Sequence, residues 1–169
     1  SLAWLVAGLI RPTSGSVLVN GRPARERLGR VGLAFQHARL QLLGPTVRDE
    51  LARAGTAPDD YNQLLQRYSL GSIGLDTSLD NLSGGQLKRL LVATLLARSP
   101  AVLVMDEPLV GLDRAGRRMV VETVDQLAHE QNLAVIVVSH DLDMAGVADR
   151  VLQLEAGRVV SDERLCSWT

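Results

Sequence analysis

Aromatic side chains are scarce: two Trp, two Tyr and one Phe make up 3% of 169 residues. The core must therefore be built from Leu, Val, Ala and Ile, which favours layered strands and helices. The same scarcity argues against nucleic-acid binding by aromatic stacking. Surplus positive charge is also missing. Eighteen Lys and Arg face nineteen Asp and Glu, a net charge of −1, so no basic nucleic-acid footprint is visible. The one cysteine, Cys166, has no partner for an internal disulfide, which suits a reducing compartment. No apolar run approaches the roughly 18 residues needed to cross a bilayer. The apolar opening, Ser1–Ile10, lacks the basic leader and cleavage site of a signal peptide. The remainder is ordinary for a single globular domain, with 46% hydrophobic residues and a mean hydropathy of +0.10.

Local patterning predicts a helix tail over Ser1–Ile10, ended by Arg11-Pro12, because proline cannot continue the ladder. A short strand at Ser16–Val19 runs into the hairpin signal Asn20-Gly21. A solvated loop with some helix follows at Arg22–Arg30, then a strand at Val31–Phe35 and a loop at Gln36–Pro45. Thr46 is placed to cap a helix through Ala54, with Asp49 favoured in its first turn by the helix dipole. Pro58-Asp59-Asp60 opens another helix to about Tyr68. Beyond Ser83 the pattern alternates. Helices are expected at Gly85–Arg98, Arg114–Gln131 and Asp141–Ala148. Strands are expected at Ala101–Met105, Leu133–Val138, Val151–Leu154 and Val159–Val160, the last two around a Glu155-Ala156-Gly157 turn. Repeated strand–helix–strand units imply a parallel sheet with helices on both faces.

Four segments carry candidate chemistry. Ser83 stands at an N-cap position, with Gly84 and Gly85 leading into an amphipathic helix. Glycines allow close approach of an oxyanion, and the helix start supplies free N–H groups and positive potential, so this is physically a phosphate receptor. Alone, Ser-Gly-Gly is more often a plain cap. The apolar strand Val102–Met105 delivers Asp106 and Glu107 to the carboxyl end of a sheet, where ligands of open α/β sheets bind. Alone, such a pair is as often merely solvated. His140 follows the strand Leu133–Val138 beside Ser139 and Asp141, and Gln36 ends the strand Val31–Phe35. Each is bland in isolation; their order in the chain gives them weight.

Leu82-Ser83-Gly84-Gly85-Gln86, then Met105-Asp106-Glu107-Pro108, then Ser139-His140, resembles the ATP-binding-cassette (ABC) family, whose signature sequence is LSGGQ. That resemblance implies an α/β P-loop NTPase (RecA-like) core over 1–169 as a single domain, with a helical subdomain at about 42–98 and a remnant antiparallel part near 16–35. It implies ATP and Mg²⁺ as cofactors. Asp106 and Gln36 would serve the metal, Glu107 would activate or orient the attacking water, and His140 would meet the γ-phosphate and Glu107. Gln36 would also reach the attacking water. Ser83, Gly84, Gly85 and Gln86 would contact ATP held by a second subunit, and Asp113 would match the aspartate coupling the two sites. Leu109 stands where the family usually has a small or hydroxylated residue. His37 and His129 are read as surface residues.

Leu40-Gln41-Leu42 and Gly44-Pro45-Thr46-Val47-Arg48-Asp49-Glu50 are similar to the cobalt and energy-coupling-factor (ECF) branch of importer ATPases, although His37-Ala38 replaces that branch's Asn-Pro. The resemblance implies a head-to-tail homo- or heterodimer with a second ABC ATPase. It further implies a transmembrane coupling or permease subunit, a peripheral position on the cytoplasmic membrane face, and vitamin or metal-ion import. No nucleic-acid partner is expected. The alternatives are a non-transport ABC ATPase of DNA repair or translation, or a subunit that only donates its signature in trans. No G-x-x-x-x-G-K-[ST] phosphate loop occurs in the 169 residues. Counting back from Ala7 places Ser1 at the last hydroxyl of that motif. The expectation is therefore a cassette truncated just after its P-loop and inactive alone, with unpaired strand edges and exposed apolar surface.

Overall fold

A computed structural model describes residues 2–165, so the assignments made for Ser1 and Cys166 lie outside the described residues. Its centre is a parallel sheet in the order β3 (Val31–Ala34), β4 (Val102–Asp106), β5 (Ala134–Val138). The register sets Ala34 beside Met105 and Asp106 beside Val138, so all three strands end together. Alternation along the strands sorts their side chains between two layers, as a two-residue repeat must. Leu33, Val104 and Ile136 face one cluster with Ala3 of helix α1 (Leu2–Val6) and Ala7 just beyond it. Ala34, Leu103, Met105, Val135 and Val137 face the larger cluster on the other side.

That larger core is mostly aliphatic, as the shortage of rings requires. It gathers helices α2 (Val47–Arg53), α3 (Tyr61–Arg67), α4 (Gly84–Ala97) and α5 (Arg114–Asp125). Leu51, Leu65, Leu79, Leu90, Leu103 and Leu127 are almost wholly enclosed. Truncating any one to Ala removes about 2–5 kcal/mol of stability. Thr46 caps α2 in a reciprocal capping box with Asp49. Glu50, on the same helix, is buried, and its carboxylate accepts from the N–H groups of Leu43 and Gly44 at 2.8 and 2.6 Å. This ties down the loop that enters α2.

Several expectations need correction. Helix α1 stops at Val6, ahead of Arg11-Pro12, because Gly8 takes φ +74° and turns the chain out of the helix. Strand β3 stops at Ala34. Phe35 leaves it with its N–H donated to the Gln41 side chain. The antiparallel part is a minimal hairpin, β1 (Leu18–Val19) with β2 (Arg22–Pro23), and residues 31–34 belong to the parallel sheet. Helix α5 ends at Asp125 and continues as a wider π-turn through Glu130, closed by Gln131 N–H to the Gln126 carbonyl. Leu142–Val147 forms 3₁₀ turns, tighter than the expected α-helix. The last hairpin, β6 (Arg150–Glu155) and β7 (Arg158–Arg164), is longer than expected. It turns at Ala156 and Gly157, both with positive φ, as a tight two-residue turn requires.

Among the described residues, the outer edges of β3 and β5 have no neighbouring strand. Leu152, Leu154, Val159 and Val160 of the last hairpin are exposed, as are Leu2, Trp4, Leu9 and Ile10.

Candidate functional site

Everything at the carboxyl end of the sheet depends on how the chain leaves β4. Asp106 is still paired with Val138, and Glu107 turns sharply with φ +50°, a conformation unusual for a residue with a side chain. Its N–H donates to the Val138 carbonyl at 2.8 Å, so one more rung of the ladder fixes its backbone. The Glu107 carboxylate faces the end of β5. Oε1 accepts from His140 Nδ1 at 2.8 Å, and Oε2 is 3.4 Å from the Ser139 hydroxyl, which donates to it. A carboxylate can only accept, so Nδ1 carries the proton and Nε2 is left for another partner.

The pair is asymmetric in exposure: 23% for the Glu107 side chain and 78% for His140. The imidazole thus forms the wet side of the site. The Glu107 hydrogen bond and charge raise its pKa above the ordinary value. Desolvation and, less, Arg117 oppose that rise, while Asp141 adds to it. The turn carrying His140 is itself fixed. Asp141 N–H donates to the Ser139 hydroxyl at 3.0 Å, and the Asp141 carboxylate pairs with Arg117 of α5. The Asp143 backbone N–H and Arg117 together hold the Asp141 carboxyl below its usual range. Sequence reasoning gave no role to Ser139, Asp141 or Arg117. Only proximity to His140 could have flagged the first two, and nothing local flags the third.

Gln36 follows β3, so it emerges at the same sheet end as Asp106 and is exposed. The segment beyond it is held by Gln41, whose amide acts as a one-residue strand. Phe35 N–H donates to its Oε1 at 2.6 Å, and its Nε2 donates to the Leu33 carbonyl at 2.8 Å. Gln36 is therefore carried at the neck of an anchored loop. That anchoring role of Gln41 could not be read from its spacing.

Ser83 caps α4 as expected, through a capping box. Gln86 N–H donates to Ser83 Oγ at 3.3 Å, and Ser83 N–H donates to Gln86 Oε1 at 2.7 Å. The Gln86 side chain is thus committed to the cap, and the free donors of this helix start are backbone N–H groups. A Cβ placed on Gly84 would meet nothing within 4 Å, so that face of the turn is open. Asp113 caps α5, accepting from Gly116 N–H at 2.8 Å. Among the described residues, Ser83–Gln86 makes no hydrogen bond to Asp106, Glu107 or His140. The sheet end assembles Asp106, Glu107, Ser139 and His140, and leaves the α4 start apart from them.

The donor set is compatible with Mg²⁺. No group of three or more His, Cys, Asp or Glu able to hold a metal occurs among the described residues. Asp106 and Gln36 offer one carboxylate and one amide oxygen at the same sheet end. Mg²⁺ is commonly held by one or two protein oxygens, with water and substrate phosphate completing its shell.

Comparison with known proteins gives this geometry a family. Residues 1–110 match the family described as ABC transporter. An uncharacterized ABC transporter ATP-binding protein of Mycobacterium tuberculosis is 43% identical over 164 residues, which is 93% of this chain and 23% of that protein. The energy-coupling factor transporter ATP-binding protein EcfA1 of Halalkalibacterium halodurans is 39% identical, across 96% of this chain and 63% of its own length. The chain thus spans less than two thirds of these curated relatives. Among solved structures, CbiO1 from Clostridium perfringens, part of the ABC transporter complex CbiONQ, superposes with a TM-score of 0.85. That match has 26% identity and covers 96% of this chain and 71% of CbiO1. The dimeric ATP-binding cassette MJ0796, bound to ADP and Pi, shares the fold with a TM-score of 0.81 at 23% identity, covering 99% of this chain and 80% of its own. The α/β fold is therefore that of the P-loop NTPase cassettes, and the chain belongs to the ABC transporter family.

Proposed function

We propose that this chain is the signature-bearing part of an ATP-hydrolysing subunit that energises transport across a membrane, of the ECF or cobalt-importer type. The observation that carries the reading is the 2.8 Å contact of His140 with Glu107, next to Asp106 at the end of a buried strand. Similarity to EcfA1 and CbiO1 supports the transporter class. A vitamin or a metal ion is the cargo proposed for that type.

Each residue then has a task that its position can perform. Asp106 and Gln36 hold Mg²⁺, which supplies charge neutralisation at the phosphates when bound. Glu107 takes the proton from, or orients, the attacking water, with its carboxylate aimed by His140 and Ser139. His140 Nε2, left free by the Nδ1 bond to Glu107, would be the hydrogen-bond partner of the γ-phosphate. Ser83, Gly84, Gly85 and Gln86 present the α4 start to ATP bound by a second ABC ATPase, in a head-to-tail homo- or heterodimer. Asp113 links the two sites. A transmembrane coupling subunit would receive the motion at the Gln36 loop, with the cassette peripheral on the cytoplasmic membrane face.

Glu107→Gln in the gene product that carries this chain tests the reading. ATP turnover is expected to fall about 100-fold or more, and an ATP-bound dimer to accumulate. Hydrolysis at the normal rate in that variant would remove Glu107 from the base position.

A further inference from the structure

Lys88 is the single lysine of the chain, against seventeen arginines. It lies on the second turn of α4, partly buried beside a small cavity of about 30 Å³ that Phe35, Met105 and Asp106 also line. Desolvation there pulls its ammonium below the ordinary lysine pKa. Among the described residues the ammonium pairs with no carboxylate. It donates instead to two backbone carbonyls, Pro108 at 2.7 Å and Val110 at 2.6 Å. Both belong to the irregular segment that starts at Glu107, with its positive φ, and ends at the Asp113 cap. Beyond Glu107, whose N–H is held by the Val138 carbonyl at 2.8 Å, that segment has little other backbone support. Val110 N–H reaches the Glu107 carbonyl at 3.4 Å, and Leu112 N–H the Leu109 carbonyl at 3.3 Å. Two charge-assisted bonds from a half-dry ammonium are the strongest polar restraint on it.

We propose that Lys88 is a positioning residue for ATP hydrolysis. It locks the 107–113 loop to helix α4, so that Glu107 keeps its place against His140 while the same helix offers its N-terminus to a neighbouring nucleotide. The proposal rests on the ATPase reading above. An arginine-rich chain keeps its one lysine here because a compact ammonium fits between two carbonyls 20 and 22 residues along the sequence. The planar fork of an Arg can satisfy both carbonyls less closely, and a side chain without donors, such as Met, leaves both unpaired.

Lys88→Met and Lys88→Arg, made in the gene product that carries this chain, test it. In Lys88→Met, hydrogen exchange at the Glu107 and Leu112 amides should quicken roughly tenfold, as expected for loss of charge-assisted bonds. The Gln86 and Gly116 amides, held by their own caps, should stay unchanged. The turnover number should fall about tenfold or more with the KM for ATP within about twofold, because ground-state binding is untouched. Lys88→Arg should recover most of both losses. If Lys88→Met does not fold, ¹⁵N-lysine labelling of the unmodified gene product, with the Lys88 Nζ signal assigned by its loss in Lys88→Arg, is expected to show slowed ammonium proton exchange at Lys88. A freely exchanging Lys88 Nζ signal overturns the proposal. So does normal turnover in Lys88→Met, whether or not exchange at Glu107 and Leu112 changes. Absence of ATP turnover in the unmodified gene product is a different failure. It removes the hydrolase reading itself, and with it this role.

Discussion

The Glu107 side chain is aimed from three directions, by its own strained backbone, by Ser139 and by His140. A positive φ at a residue other than glycine costs of order 1 kcal/mol, and the Val138 carbonyl helps to hold it. His140 reports on this arrangement. Its ring is expected to titrate above the ordinary imidazole range, and Glu107→Gln should bring the midpoint down toward it. Nuclear magnetic resonance of the His140 ring measures both, and a midpoint indifferent to Glu107→Gln would contradict the pairing. The sign for stability follows. A histidine with a raised folded pKa stabilises fully below its unfolded value, and this contribution is lost as pH rises through the folded one. The placement of Asp106, Glu107 and His140 at the carboxyl end of the sheet was legible as motif. The support given by Ser139, Asp141, Arg117 and Gln41 was not, because those residues act through contacts between distant segments.

Among the elements, caps that use neighbouring residues were readable and turns set by tertiary contact were not. Thr46 with Asp49, and Ser83 with Gln86, are three-residue reciprocal patterns, so local sequence contains the whole interaction. The end of α1 was misplaced because Gly8 terminates it, and Gly8 is needed for a reason far along the chain. A Cβ there would sit 2.7 Å from the Ala24 carbonyl oxygen, at φ +74°. Gly8→Ala should therefore cost about 2 kcal/mol or more. The urea midpoint should fall with the slope unchanged. Stability within about 0.5 kcal/mol of the unmodified chain would show that the approach to Ala24 is not tight. The π-turn at Gln126–Glu130 is a similar case. It keeps Leu127 buried while His129 lies between Asp125 and Asp149, a pairing that its reading as a bare surface residue did not include.

As a whole molecule, the chain carries two candidate parts of a nucleotide site that, among the described residues, share no hydrogen bond. The α4 start is hydrogen-bonded to its own cap, and Glu107 to His140. With no G-x-x-x-x-G-K-[ST] sequence among the 169 residues, there is also no backbone cradle of that kind for the β- and γ-phosphates. The 169-residue chain alone is therefore expected to hydrolyse ATP negligibly and to bind it weakly. Mg²⁺-dependent phosphate release by the purified chain, abolished by Glu107→Gln, would overturn that expectation.

The sequence by itself determined the family, the alternating strand–helix order and the residues offered to chemistry, because these reside in short contiguous patterns whose physics is local. Tertiary structure set the Glu107–His140 pair, which the resemblance implied, at 2.8 Å, and it alone decided that Gln41 closes the edge of β3 and that Lys88 clamps the loop after Glu107. Those contacts join segments that only the packed sheet brings within hydrogen-bond range, and no periodicity or spacing records such a distance.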